Sequence, residues 1–186
     1  MRLNNGDVII FPTDTVYGMG GRIDDIEALQ KIYKLKRRPK EKRLAVLCAS
    51  IEDIDKIAYL TEDAIKLINE YMPGGLTVIL KTKEEFCNEF IFETIAVRIP
   101  NHELALRILR ENGPMATSSV NVSGSVPLND YIDIVKKFGN DVLYVYPNAI
   151  ASQNESSTIV DLSKNGCTLI REGNLKFQEI VKFLNK

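Results

Sequence analysis

Short apolar runs, each closed by proline, glycine or polar residues, alternate along this chain with stretches whose apolar residues recur at helical spacing. Val8, Ile9, Ile10 and Phe11 run into Pro12, which reads as a buried strand with a stop. Residues 44–48, 77–80 and 95–99 read as further strands, and 115–118 as a strand end. Residues 142–146, 157–162 and 167–170 are strand-like as well. Ile26, Leu29, Ile32 and Tyr33 share one helical face behind Asp24 or Asp25 as N-cap. Two helical stretches follow residue 48, the second opened by Thr61 with Ile65, Ile68 and Met72 on one stripe. Residues 103–110, 131–138 and 177–184 read as three more helices. This alternation predicts an α/β fold, an open sheet flanked by helices. The elements do not follow the regular beat of a parallel βαβ array, so mixed strand directions are expected. At 186 residues the chain reads as a single domain, 1–186, that buries roughly 70% of its unfolded surface without covalent staples.

Several function classes fall away on composition. The apolar runs, such as residues 45–49, are far shorter than the ~20 residues that cross a bilayer. The first residues lack the apolar stretch of a signal peptide, so no membrane and a cytoplasmic location are expected. Lys and Arg number 24 against 25 Asp and Glu, a net charge of −1, which disfavours a strongly basic wrapper of nucleic acid. Cys48, Cys87 and Cys167 are scattered, which argues against a zinc knuckle or disulfide framework and suits a reducing cytosol. Cys48, inside an apolar run, reads as a buried small hydrophobe. The one histidine, His102, reads as a residue near a helix start. There is no P-loop lysine motif and no zinc-protease motif.

Four constellations remain. Pro12-Thr13-Asp14-Thr15-Val16-Tyr17-Gly18-Met19-Gly20-Gly21 follows a strand, where an open α/β sheet places its ligand crevice. Its glycines read as a tight loop with positive φ, or as a backbone that lets a ligand come close. Residues 31–43 hold Lys31, Lys34, Lys36, Arg37, Arg38, Lys40, Lys42 and Arg43, with Glu41 as the one acid. Pro39 pushes Arg38 toward extended backbone. An extended stretch would point Lys36 and Arg38 to the same side, suited to a triphosphate or to nucleic-acid phosphates. Ser119 and Asn121 in Thr117-Ser118-Ser119-Val120-Asn121-Val122-Ser123-Gly124 share the same alternation and offer neutral donors and acceptors. The fourth is Ser156-Ser157-Thr158-Ile159-Val160-Asp161 followed by Arg171-Glu172-Gly173. Arg98, in Ala96-Val97-Arg98-Ile99-Pro100, belongs with it. An arginine in an apolar strand must bind an anion or pair with a carboxylate, here Asp14 or Asp161.

Together, in this order, these pieces resemble the YrdC family of threonylcarbamoyl-AMP synthases. The matching segments are residues 12–18, Lys36 with Arg38-Pro39, Pro73-Gly74-Gly75-Leu76-Thr77, residues 96–100, Ser119 with Asn121 and Ser123-Gly124, residues 157–161, and Arg171 with Gly173. The length resembles the short bacterial single-domain form. The resemblance implies a twisted open mixed sheet with a concave, positively charged face. It implies synthesis of threonylcarbamoyl-AMP from L-threonine, bicarbonate and ATP with release of pyrophosphate, a nucleotidyltransferase activity. The product would pass to a downstream complex that modifies tRNA. Mg2+ would be the cofactor, held mainly by the ATP phosphates. Carried over by position, Lys36, Arg38, Ser119 and Asn121 would be catalytic. Lys36, Arg38, Lys42, Thr94, Asn121 and Arg171 would bind ATP. Thr15, Arg98, Ser119 and Ser157 would bind L-threonine. Leu47 stands where longer relatives carry histidine, and Lys42 where they carry asparagine. The alternative reading is an RNA-binding module without catalysis, in which the basic run contacts tRNA or double-stranded RNA; steep salt dependence without ATP turnover would mark it.

Overall fold

The computed structural model describes residues 1–147 and 156–185. In chain order the elements are β1 (Ile9–Phe11), β2 (Gly18–Arg22), α1 (Ile26–Lys36), β3 (Ala45–Leu47), α2 (Ile51–Ile57), α3 (Glu62–Tyr71), β4 (Leu76–Lys81) and β5 (Thr94–Arg98). They continue with α4 (Glu103–Asn112), β6 (Met115–Ser119), α5 (Tyr131–Phe138), β7 (Tyr144–Val145), β8 (Thr158–Asp161), β9 (Thr168–Arg171) and α6 (Phe177–Leu184). Among the described residues nine strands form one sheet in the order β7-β1-β2-β6-β3-β5-β4-β8-β9. Directions are mixed, as expected: β1–β7, β3–β5 and β4–β8 run parallel and the other neighbours antiparallel.

Side chains alternate across a strand, and here the two faces have different fates. Val46, Val78, Leu80, Val97, Ala116 and Val160 point to one face and are fully buried. They pack in one core with Leu29 and Ile32 of α1, Ile54 of α2, Leu67 of α3, Ile134 of α5 and Ile180 of α6. On the other face Ile9, Phe11, Leu47 and Met115 form a second, smaller core with Ala105, Ile108 and Leu109 of α4. Helix α4 covers only that end. Thr77, Ile79, Ala45, Ala96 and Thr117 share the uncovered part of the same face, in mutual register, and form a floor.

Local caps follow the sequence. Asp25 accepts from the Ala28 N–H at 3.0 Å, and Thr61 from the Ala64 N–H at 3.2 Å. The α3 stripe is rotated from the expected one. Ala64, Leu67 and Ile68 face the core, whereas Ile65 is 39% exposed.

The glycine cluster also differs from expectation. Residues 18–22 are not a loop but the interior strand β2, between β1 and β6, and none of its glycines has a positive φ. Glycine is required by close packing instead. A Cβ on Gly18 would lie 2.7 Å from Thr117 Cγ2, and one on Gly21 would lie 2.7 Å from Ala28 Cβ of α1. Gly21→Ala is therefore expected to destabilise the protein by about 1–3 kcal/mol and lower Tm by about 3–10 °C in calorimetry. A variant melting with the wild type would contradict this packing.

Candidate functional site

A cavity of about 400 Å³ lies over the uncovered floor. Ala45, Ala96 and Thr117 keep the floor shallow, and residues from β1–β2, β3, β4, β5, β6, β8 and β9 rise around it. Of the residues nominated from sequence, Thr15, Arg38, Thr94, Arg98, Ser119, Ser157 and Arg171 line this one cavity. Lys36, Lys42 and Asn121 do not.

Arg98 organises one end. It sits in β5, 6% exposed, and each nitrogen is engaged. Nε donates to the Gly74 carbonyl at 2.8 Å, Nη1 to Thr15 Oγ1 at 2.7 Å and Nη2 to Asp14 Oδ1 at 2.7 Å. The carboxylate partner foreseen as Asp14 or Asp161 is thus Asp14, while Asp161 accepts from the Ser163 N–H. Three strands lie between β1 and β5 in the sheet, so the loop after β1 crosses the floor to reach this guanidinium. Thr13 stiffens that loop, bonding Thr15 Oγ1 at 3.1 Å and donating to the Val16 carbonyl at 2.7 Å. A guanidinium has five N–H groups; three are spent and two remain for a ligand. Burial pulls the Arg98 pKa down, and the Asp14 charge opposes it.

Beside it, Ser157 Oγ shares a 2.8 Å hydrogen bond with Thr77 Oγ1. Arg171 clamps the same residue, its Nε and Nη2 donating to the Ser157 carbonyl at 3.2 and 2.7 Å. Its pKa is lowered by burial and by the nearby Arg98 charge. Two cations held this near each other are a receptor for anions.

The opposite wall corrects the expected geometry of the basic run. Helix α1 continues through Lys36, and Arg37 caps it in the left-handed region at φ +47°. Lys36 and Arg38 therefore do not share one side of an extended segment. Lys36 is 1% exposed. Its ammonium donates to the Ser119 carbonyl, and to the Asn121 carbonyl and Oδ1 at 2.9 Å each. Ser119 Oγ donates to the same Oδ1 at 2.8 Å, and Asn121 Nδ2 donates to the Ser125 carbonyl at 2.6 Å. Lys36 and Asn121 thus stand behind the wall and shape the turn that presents Ser119. Arg38 reaches the cavity while its Nε and Nη2 hold the Lys42 and Arg43 carbonyls at 2.7 Å each. Lys42 contributes its carbonyl to this loop, which also accepts from the Tyr33 hydroxyl.

Arg43, Thr13 and Thr77 line the cavity and were not singled out from sequence. Arg43 was hidden among the like charges around it; Thr77 carried a signal in the Pro73-to-Thr77 segment. Cys48 is buried with its thiol pKa pushed up by desolvation, and His102 is the N-cap residue of α4, away from the cavity. Among the described residues no cluster of three or more His, Cys, Asp or Glu could hold a metal, and no helix is long and apolar enough to cross a membrane. The polar side chains of the lining are hydroxyls and guanidiniums, a set that binds carboxylate and phosphate oxygens.

Comparison with known proteins finds relatives along nearly the whole chain. The model of the Sua5/YciO/YrdC family, described as "Telomere recombination", matches residues 1–173. A threonylcarbamoyl-AMP synthase of Pyrococcus abyssi is 31% identical over 99% of this chain and 55% of its own length. One of Aliivibrio fischeri is 31% identical over 92% of this chain and 95% of its own. The chain thus spans about half the length of the Pyrococcus relative and nearly all of the Aliivibrio one. The crystal structure of P. abyssi Sua5 complexed with L-threonine superposes with a TM-score of 0.89 at 32% identity, covering 96% of this chain and 54% of that one. Escherichia coli YciO shares the fold, with a TM-score of 0.85 at 24% identity over 94% of this chain and 87% of that one.

Burial, then the Arg38 charge, pulls the Lys36 pKa down to about 7. The unfolded chain keeps that proton up to about pH 10.4. Between those values the unfolded state binds more protons, so the Lys36 burial cost is full below pH 7 and fades as pH rises. In denaturant unfolding, the wild type should gain stability relative to Lys36→Met from pH 7 to pH 9. A difference that stays flat would contradict the lowered pKa.

Proposed function

The chain belongs to the Sua5/YciO/YrdC family, and from that premise we propose that it makes threonylcarbamoyl-AMP. L-Threonine and bicarbonate give a carbamate with loss of water. A carbamate oxygen attacks the α-phosphorus of ATP, the bond from that phosphorus to the bridging oxygen breaks, and pyrophosphate leaves. The product passes to a tRNA-modifying complex in the cytoplasm. The single observation that supports this most is the convergence of Thr15, Arg38, Thr94, Arg98, Ser119, Ser157 and Arg171 on one cavity. They come from positions 15 to 171, on six separate parts of the chain.

The placement supports a division of labour. The two remaining N–H groups of Arg98 take the amino-acid carboxylate, with Thr15 and Ser157 hydroxyls beside it. Arg171 and Arg38 face the nucleotide from opposite walls, with Thr94 between strands β4 and β3 on the β5 wall. Ser119 lies where the two halves meet. The reaction needs two anions brought together and growing charge neutralised, and no activated side-chain nucleophile. Lys36 and Asn121 act here as positioning residues for Ser119. Leu47, on the cavity floor, packs with α4 and leaves that part of the threonine pocket apolar. The lining lacks carboxylates among the described residues, and Asp14 is paired with Arg98. Magnesium would accordingly enter on the ATP phosphates, where it supplies charge neutralisation.

Catalysis is favoured over RNA binding alone because the basic run is partly spent inside the fold. Lys36 is buried, Arg38 holds loop carbonyls, and Lys40 pairs with Glu89. Purified protein given ATP, bicarbonate and L-threonine should release pyrophosphate, and release should fall to background without threonine. Release that ignores threonine would refute the proposal.

A further inference from the structure

Arg43 stands in a built environment that its place in a charge run conceals. Its backbone is fixed from one side: Arg38 holds the Lys42 and Arg43 carbonyls at 2.7 Å each, and the Tyr33 hydroxyl adds a 3.2 Å bond to the Lys42 carbonyl. From there the side chain crosses to the β5 wall. Its Nη1 donates to Thr94 Oγ1 and, at 3.3 Å, to the Thr94 carbonyl. The guanidinium carbon lies over the Phe92 ring, 4.7 Å from the centroid. Arg43 is exposed and lines the cavity, whereas the half-buried Phe92 does not line it. Phe92 therefore stands behind Arg43, and the guanidinium lies between that ring and the cavity.

That arrangement selects among ligand groups. A phosphate is recognised by the N–H edge of a guanidinium, through parallel in-plane bonds. Here part of the edge is committed to Thr94. Beside the Nε and Nη2 edge that Thr94 leaves free, the group offers a flat, weakly hydrated, cationic face, which suits a flat π-system. A base laid on it would complete a stack of ring, guanidinium and base, the last stacking on a plane already held still.

We propose that Arg43 is the stacking platform for the purine of ATP, with Phe92 as its backing. The inference rests on the adenylation reading for the identity of the nucleotide and adds the place of the base. Arg38 then contributes to nucleotide binding twice, by its own charge and by fixing the loop that aims Arg43.

The test measures equilibrium binding of ATP and of inorganic tripolyphosphate to the wild type, Arg43→Ala, Arg43→Lys and Phe92→Leu. KM values for ATP and L-threonine in pyrophosphate release are measured alongside. Both Arg43 variants should weaken ATP by about tenfold, the scale of one base stack, because lysine keeps the charge and loses the plane. Phe92→Leu should weaken ATP in the same direction by less. Tripolyphosphate affinity and the threonine KM should stay at wild-type values. Wild-type ATP affinity in Arg43→Lys, or an equal loss for ATP and tripolyphosphate, would overturn the proposal and assign Arg43 to the phosphates. Unchanged ATP affinity in Arg43→Ala would reduce it to a wall residue. A protein that binds ATP through Arg43 in this pattern but releases no pyrophosphate would refute the adenylation reading and leave the platform standing.

Discussion

The site depends on one buried guanidinium. Arg98 lies in a strand whose neighbours are apolar, and removing its charge from water is expensive unless it is paired and hydrogen-bonded. Three groups answer it: the Gly74 carbonyl from the turn before β4 and, from the loop after β1, the Thr15 hydroxyl and the Asp14 carboxylate. Each of those segments is held in place in return. Gly74 also donates its N–H to the Ile99 carbonyl at 2.9 Å, so the turn before β4 is tied to the β5 end twice. The threonine-rich loop is bent over a floor it would otherwise leave. The bonds that offset the cost of burying the charge also order two pieces of chain, which form the cavity's end wall.

The rest of the cavity is a matter of what does not fill it. One sheet face carries the main core, and α4 closes only part of the other. Where α4 stops, the residues in register are Ala45, Ala96, Thr117 and Ile79, and β2 supplies Gly18 and Gly20 against Thr117. Small side chains on the floor and long cations on the rim give a hollow with a polar mouth. The hydroxyls around it are held by each other and by arginines, as at Thr13, Thr15, Thr77 and Ser157. Such preorganisation lowers the cost of orienting a ligand.

Much of this was legible in the chain, where local pattern and tertiary role coincide. Residues 177–184 read as a helix and form one, because an amphipathic stripe has a single use at a sheet surface. The first strand and the Asp25 and Thr61 caps are likewise local. The readings that changed are those in which a residue's reason lies far away in sequence. Gly18 to Gly21 signal a turn until Thr117 and Ala28 are seen pressed against them. Pro39 suggested extended backbone at Arg38, but α1 runs on to the left-handed Arg37 and turns Lys36 inward to three oxygens of the 119–121 turn. Arg43 has no mark in its neighbours to distinguish it from Lys42; Phe92 and Thr94, about fifty positions later, give it a role. Arg98 was the exception, since a charge in an apolar strand announces its own need for partners.

Arg98 ties the β1 loop to β5, and in the proposed function its remaining N–H groups take the amino-acid carboxylate. The decisive measurement is a crystal structure grown with L-threonine and a non-hydrolysable ATP analogue. The threonine carboxylate is expected within about 2.7–3.0 Å of an Arg98 terminal nitrogen, with the Asp14 and Thr15 bonds retained. A carboxylate bound elsewhere, with Arg98 facing only its protein partners, would contradict it.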